Sequence, residues 1–239
     1  MLDIVARLVL SPLLVAQALH VRRSAQNLPE AAGPRRGTSG MGPPLKLAII
    51  GDSSAAGVGV AQQSRALSGQ LVQILGAYFS VEWQLDAQSG STTPSTISRL
   101  TQSTSRPLDV IVIGLGVNDV TRLTRTGKWI TQQKTLIDRL RTLHNPKHIY
   151  ISGLPPMGDF PLLPHPLRWI LGRHARRLER HRRAWLATCP DCTLVPFDLP
   201  LRPDMMASDG FHPAAITYTL WAKEMASRIL SDWPIHRET

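Results

Sequence analysis

Two stretches of this 239-residue chain carry residue types suited to nucleophilic chemistry. The first is Gly51-Asp52-Ser53-Ser54-Ala55-Ala56-Gly57-Val58-Gly59, directly after an apolar run. A glycine leading a serine out of a buried strand permits a tight turn that lifts the hydroxyl to the sheet edge, with the N-terminal amides of a following helix beneath it. Taken alone, Gly-Asp-Ser at such a place is more often a cap and turn than a nucleophile. A dinucleotide-binding loop is excluded, because Gln62 stands where the third glycine would fall. The second stretch is Ser208-Asp209-Gly210-Phe211-His212-Pro213. A carboxylate three residues before a histidine on one loop can hold the distal ring nitrogen and fix the tautomer.

These stretches need elements to position them. Leu45 to Ile50, Val81 to Ala87, Val110 to Gly114, His148 to Ser152 and Leu194 to Phe197 read as short strands. Between them, Leu67, Leu71, Ile74 and Tyr78 recur at helical spacing, as do Tyr218, Ala222, Met225 and Ile229 in the last segment, whose helix is expected to begin at Pro213. Strands alternating with helices imply an α/β fold, a mostly parallel five-stranded sheet in a three-layer α/β/α arrangement. Ligands of such sheets bind beyond the carboxyl ends of the strands, so the residues there are the ones to inspect. Besides the two stretches above, those ends hold Gln88-Ser89-Gly90-Ser91-Thr92 and Gly114-Leu115-Gly116-Val117-Asn118-Asp119. Each by itself is a polar turn, with Gly90 a turn residue, Asn118 a helix cap and Asp119 an acidic first-turn residue as the plain alternatives.

Together the four blocks resemble the SGNH or GDSL-type hydrolases, a superfamily of serine esterases and lipases with a flavodoxin-like fold. Gly51-Asp52-Ser53, Gly90, Gly116-Val117-Asn118-Asp119 and Asp209-Gly210-Phe211-His212-Pro213 stand in that family's order and with similar gaps, over about residues 45 to 232. The resemblance implies a catalytic triad of Ser53, His212 and Asp209, and an oxyanion hole from the backbone N–H groups of Ser53 and Gly90 and the Asn118 amide. It also implies a small-molecule ester substrate, of short to medium acyl chains by default, and no cofactor. Activity should then rise as His212 gives up its proton. Asp52 and Asp119 are read as holding loops through backbone N–H groups. One departure is Ser54, where the family commonly has Leu; it bears on substrate breadth more than on catalysis. An acyltransferase would need the same residues. A non-catalytic binding protein acting through an Arg-rich helix is the competitor from another class.

Composition narrows the alternatives. Lys plus Arg number 27 against 17 Asp plus Glu, a net charge of +10. Seven Arg and one Glu fall between Arg168 and Arg183, a local +6 that leaves only +4 for the rest. The excess is one element, so no nucleic acid partner is expected. That helix carries Leu167, Leu171, His174, Leu178, His181 and Trp185 on one stripe, with its Arg read as a solvated face or as contacts to anionic lipid. A metal-dependent phosphoesterase is disfavoured because no Asp-x-His pair occurs. Cys189-Pro190-Asp191-Cys192 lacks a second ligand pair, so no metal is expected and a turn with free thiols or a local disulfide is the reading. Leu154 to Pro166, with five prolines among apolar residues, is a candidate wall or lid of the acyl site, or a stiff loop buried on the next helix.

The N-terminus divides into an apolar helix over 1–26, a Gly/Pro-rich linker over 27–44, where Gly and Pro fill 8 of 18 positions, and a hydrolase domain over 45–239. The run Leu8 to Leu19 carries Ala16-Gln17-Ala18, which is signal-peptidase-like, whereas Arg22 and Arg23 behind it favour a cytoplasmic, membrane-associated domain. A signal, an anchor and a helix belonging to the fold remain open, as does the oligomeric state.

Overall fold

The computed structural model describes residues 9–24, 26–102, 104–199 and 201–233, without the side chains of Arg22 and Ser24. It forms a three-layer α/β/α structure on a six-stranded sheet of order β1-β3-β2-β4-β5-β6. The strands are β1 (Arg36–Ser39), β2 (Pro44–Gly51), β3 (Ser80–Ala87), β4 (Val110–Gly114), β5 (His148–Ser152) and β6 (Cys192–Val195). The helices are α1 (Ser11–Ser24), α2 (Leu67–Leu75), α3 (Thr93–Leu100), α4 (Val117–Thr121), α5 (Thr126–His144), α6 (Leu167–Leu186) and α7 (Ala215–Asp232). All neighbouring strands are parallel except β1, which runs antiparallel to β3.

The central strands read as unbroken apolar runs because both faces are covered, and their side chains divide by the two-residue period. Leu47, Ile49, Val110, Val112 and Tyr150 enter one core with residues of α2 and α7. Ala48, Ile50, Ile111, Ile113, Ile149 and Ile151 enter the other with Leu100 of α3 and Leu136 and Leu140 of α5. Helix α6 contributes Leu167, Leu171 and Leu178 to the first core and Leu186 to the second.

Several expectations shift. The sheet has six strands, not five, and the last strand lies two residues earlier than expected, at Cys192–Val195, because it pairs Ile149↔Cys192 through Ser152↔Val195. Helix α2 stops at Leu75 before Gly76, which leaves Tyr78 outside it and 41% exposed. Helix α7 begins at Ala215, since Pro213 is engaged in an antiparallel bridge with Met206. Within α6, Arg182 is not on a solvated face. It is 1% exposed, held by Glu179 at 2.6 Å and the Ser152 carbonyl at 3.0 Å, with its guanidinium 5.3 Å from the Trp129 ring centroid. His181 is exposed and Trp185 half-buried, while His174 is buried.

The segment 27–44, expected as a linker, lies against the sheet. Its Gly and Pro content keeps it out of the sheet interior but suits an edge, where β1 pairs with β3 from Arg36↔Gln84 to Ser39↔Val81. Upstream, Ala31 and Ala32 bond to Ala56, Ala61 and Gln63, so the arm reaches the turn after β2. Helix α1 docks through buried Leu14 and through Gln17, which donates to the His165 carbonyl and accepts from the Leu167 N–H at the start of α6. Met1 to Leu8, the start of the expected 1–26 helix, and the last six residues of the expected 45–239 unit lie outside the described residues. Among the described residues no helix is long and apolar enough to cross a membrane.

These contacts separate two truncations. Removing residues 1–23 forfeits chiefly Leu14 burial, about 2 kcal/mol, and should leave a folded, active protein with a slightly lower Tm. Removing 1–44 takes away β1 and the arm and should abolish ester turnover. Thermal melts and esterase rates of both truncations check this; equal activity of the two would show that the arm has no part in the site.

Candidate active site

The register of the sheet brings three strand ends level. Gly51 of β2 pairs with Ala87 of β3 on one side and with Gly114 of β4 on the other. Chain order reverses direction across the sheet at β2, which makes this edge the switch point where α/β sheets bind ligands. Ser53 follows Gly51 by two residues, Gly90 follows Ala87 by three, and Asn118 follows Gly114 by four. Strands lie about 4.8 Å apart, so the loops carrying all three leave the sheet side by side.

Gly51 is required by the tightness of this edge: a Cβ there would lie 2.4 Å from the Gly114 carbonyl oxygen and 2.3 Å from the Ala55 Cβ. The helix expected directly after Ser53 does not form. Gly57 and Gly59 adopt φ of +85° and +105°, and the chain runs through successive turns to Leu67. Side chains hold these turns in place of a helix. The Tyr218 hydroxyl donates to the Ser54 and Val58 carbonyls at 2.9 and 2.7 Å, and burial pushes its ionisation well above the ordinary range, so it stays a donor. Buried Gln63 donates to Ala56 and Ala31 carbonyls and accepts from Ser68, joining turn, arm and α2.

The structure brings Ser53, His212 and Asp209 into one hydrogen-bonded line. His212 Nε2 lies 2.9 Å from Ser53 Oγ, and His212 Nδ1 lies 2.5 Å from Asp209 Oδ2. Asp209 Oδ1 accepts the N–H groups of Phe211 and His212 at 2.9 Å, which folds the loop back on its own carboxylate. Burial works against the Asp209 charge, but the bonds from the His212 ring and from both N–H groups outweigh it and hold the carboxyl below its usual range. An ionised carboxylate only accepts, so Nδ1 carries the proton and Nε2 presents a lone pair to the Ser53 hydroxyl. Ser54, one residue away, instead donates its N–H to Asp52.

Gly90 has φ of +77°, with nothing within 4 Å of the place a Cβ would take, so its backbone is open to an approaching group. Asn118 Nδ2 donates to the carbonyl of Ser91, 3.0 Å away, and ties its helix to the Gly90 loop with one of two amide hydrogens. Asp119 does the heavier fastening. Its carboxylate accepts the N–H of Thr93 at 3.0 Å and the hydroxyl at 2.9 Å, and Gln133 of α5 donates to that same hydroxyl. Two braces were illegible in the sequence. Glu30 of the arm accepts the Ser89 N–H at 2.7 Å and pairs with Arg35, which in turn donates to the Ala87 carbonyl. Nothing in the type or spacing of Glu30 marks it, since it sits in a Gly/Pro-rich stretch with no periodicity.

The chain neighbours of Ser53 and His212, namely Asp52, Ser54, Phe211 and Pro213, line a cavity of about 40 Å³ walled also by Leu154, Phe160 and Trp221. Leu154 to Pro166 thus supplies a wall, and its Leu162 N–H bonds to the Gly210 carbonyl of the histidine loop. Cys192 is buried, with its thiol pushed up to about 12 chiefly by burial, and Cys189 is half-buried; both are free thiols. Among the described residues, no group of His, Cys, Asp and Glu is arranged to hold a metal ion.

Asp52 accepts the N–H of Ser54 at 3.1 Å, in keeping with a loop-holding role, yet burial raises its carboxyl to about 7 despite that bond. Because the folded value lies above the unfolded one, the native state binds the extra proton between roughly pH 4 and 7, and stability falls as pH rises through that window. Asp52→Asn keeps an acceptor without the charge. Its stability relative to wild type should therefore improve by up to about 4 kcal/mol between pH 4 and pH 8, read by urea unfolding at both. A pH-independent difference would show that Asp52 is ionised at no cost.

Known proteins share this chain's sequence blocks and fold. A GDSL-like Lipase/Acylhydrolase family model matches residues 49–220. A GDSL-like esterase of Mycobacterium tuberculosis is 27% identical over 235 residues, covering 88% of this chain and 73% of that one. Among solved structures, a family 3 carbohydrate esterase of Clostridium thermocellum superposes with TM-score 0.62 at 17% identity, over 79% of this chain and 96% of that one. An acetylxylan esterase of Geobacillus stearothermophilus does so with TM-score 0.57 at 18% identity, over 83% and 99%. With its family blocks on three adjacent strand ends and on the loop before α7, the chain belongs to the GDSL-like lipase/acylhydrolase family of carboxylic ester hydrolases.

Proposed function

We propose that the protein hydrolyses carboxylic esters of small acyl groups through an acyl-enzyme on Ser53. The observation that carries this reading is the line from Ser53 Oγ through His212 to Asp209. A serine hydroxyl is a poor nucleophile at neutral pH, and the Nε2 lone pair removes its proton as the oxygen attacks the ester carbonyl. The imidazolium formed is stabilised by the ionised Asp209. The developing oxyanion is received by the N–H groups of Ser53 and Gly90 and by the second amide hydrogen of Asn118. Collapse breaks the bond to the alkoxy oxygen, and His212 returns its proton to the departing alcohol. A water then repeats the sequence on the acyl-enzyme, with His212 again as base, and frees the acid.

The small acyl preference follows from the cavity. At about 40 Å³ it is a few times the volume that holds one water, enough for an acetyl or propionyl group and not for a long chain. A panel of p-nitrophenyl esters from acetate to palmitate should show kcat/KM falling with chain length and no turnover by Ser53→Ala. A preference for palmitate would assign the acyl chain elsewhere.

Because the three residues act on one step, Ser53→Ala and His212→Ala should each cost several powers of ten in kcat, and the double variant hardly more than either. Asn118→Ala should lower kcat by roughly 10² to 10³ with KM little changed, since its amide meets a charge present only in the transition state. Ser54→Ala as the inactivating change, with Ser53→Ala near normal, would overturn the assignment.

Glu30 gives a subtler outcome. Glu30→Ala frees the Ser89 N–H next to Gly90 and should lower kcat roughly tenfold at unchanged KM, whereas Glu30→Gln keeps the acceptor and most of the rate. Parallel loss of kcat and of Tm in both variants would mark Glu30 as a stability residue only.

A further inference from the structure

One face of α6 borders a second, larger concavity that the chemistry above leaves unused. Arg176, Arg180 and Arg183, at i, i+4 and i+7, share a helix face and line a groove of about 700 Å³. All three are exposed, and among the described residues none is in an ion pair or a side-chain hydrogen bond. The acidic residues on the same walls are Glu179, already taken by Arg182, and Asp198. The remaining lining is apolar or backbone, so positive charge dominates.

The groove adjoins the small cavity. Leu154, Pro155 and Phe197 wall both the groove and the cavity beside Ser53. The loops after β5 and β6 that carry these residues stand two and three strands from β2, a lateral reach of about 10 to 14 Å. An ester whose carbonyl lies at Ser53 can therefore extend its alcohol portion past the apolar walls to end among the three guanidinium groups. Each of these presents a planar fork of N–H donors that matches carboxylate or phosphate oxygens.

We propose that this groove is an anion subsite of the esterase: the ester substrate carries a carboxylate or phosphate group beyond the shared walls, more than about 10 Å from its scissile carbonyl, bound by Arg176, Arg180 and Arg183. The proposal rests on the esterase reading. The carbonyl end occupies the small cavity, and the anion lies on the alcohol side. This departs from a purely small, neutral ester, and it gives the basic excess of α6 a place at the site. An anionic bilayer would meet the same exposed arginines, and the vesicle arm of the test below separates it from a substrate-borne anion.

The test uses the full chain and two acetate esters of long ω-hydroxy acids: 10-acetoxydecanoate with its free carboxylate, and the same ester capped as the methyl ester. Acetate release from each is followed at low and high salt, in wild type, in the triple variant Arg176→Ala/Arg180→Ala/Arg183→Ala and in Arg180→Glu. In wild type at low salt, kcat/KM for the carboxylate ester should exceed that for the capped ester about tenfold, and high salt should erase the difference. The triple variant should bring the ratio to about one, and Arg180→Glu should push it lower, with p-nitrophenyl acetate turnover unchanged in both. Equal rates on the two esters in wild type, or a preference that survives the triple variant, overturn the subsite. Loss of binding to phosphatidylglycerol vesicles by the triple variant, with no change in the ester ratio, overturns it in favour of a membrane face. Inorganic phosphate should inhibit the carboxylate ester competitively, and failure to do so at concentrations that screen no more than sodium chloride counts against the site. Ser53→Ala serves as the separate control: acetate release that persists in it would remove the esterase reading itself, whereas every outcome above concerns the groove alone.

Discussion

The site depends on how closely β2 and β4 approach at their carboxyl ends. Gly51 and Gly114 face each other in register, with Asp52 N–H bonded to the Gly114 carbonyl at 3.1 Å, and there is no space for a side chain on Gly51. The turn that follows can therefore fold straight back over the sheet, which sets Ser53 at the height of the Gly90 and Asn118 loops. A Cβ at Gly51 would move the strand end by more than an ångström, on the scale that misplaces a nucleophile relative to its base.

Loops so placed have no regular structure of their own, so their backbone groups are satisfied by side chains from elsewhere. Tyr218 comes from α7, Gln63 from the segment before α2, Asp119 from α4 and Glu30 from the N-terminal arm. Tyr218 and Gln63 fasten the turns after Ser53, while Glu30 and Asp119 fasten the two ends of the Gly90 stretch, and Ser53 Oγ is left to meet His212.

Asp52, which accepts the Ser54 N–H, and Asp119 are buried carboxyls that hold these loops at a cost. Asp52 is raised to about 7 and Asp119 is raised as well, in both cases chiefly by burial, and each adjoins the catalytic loops. Asp209 is also shielded from solvent, yet its three hydrogen bonds keep it ionised. The same residue type therefore serves as a brace with a raised carboxyl in two places and as a fixed charge in another, according to whether its hydrogen bonds and nearby charges outweigh its burial.

Four short blocks in fixed order identified the family, and apolar runs bounded by turn residues gave four of the strands to within a residue, because strands buried on both faces must be apolar throughout. Tyr218, Ala222, Met225 and Ile229 were legible as one buried face for the same reason. Other features depended on pairing across long distances. The polar edge strand Arg36–Ser39 has no apolar signal, since only one side of an edge is bonded and its residues are exposed. Arg182 reads as one more surface arginine in an Arg-rich helix, until Trp129 and Ser152 close over it. Glu30 lies 59 residues from its partner Ser89. The types of the reacting groups were thus a property of the sequence, while the braces that hold them were decided by which surfaces the fold brought into contact, because a hydrogen bond between distant residues leaves no local pattern.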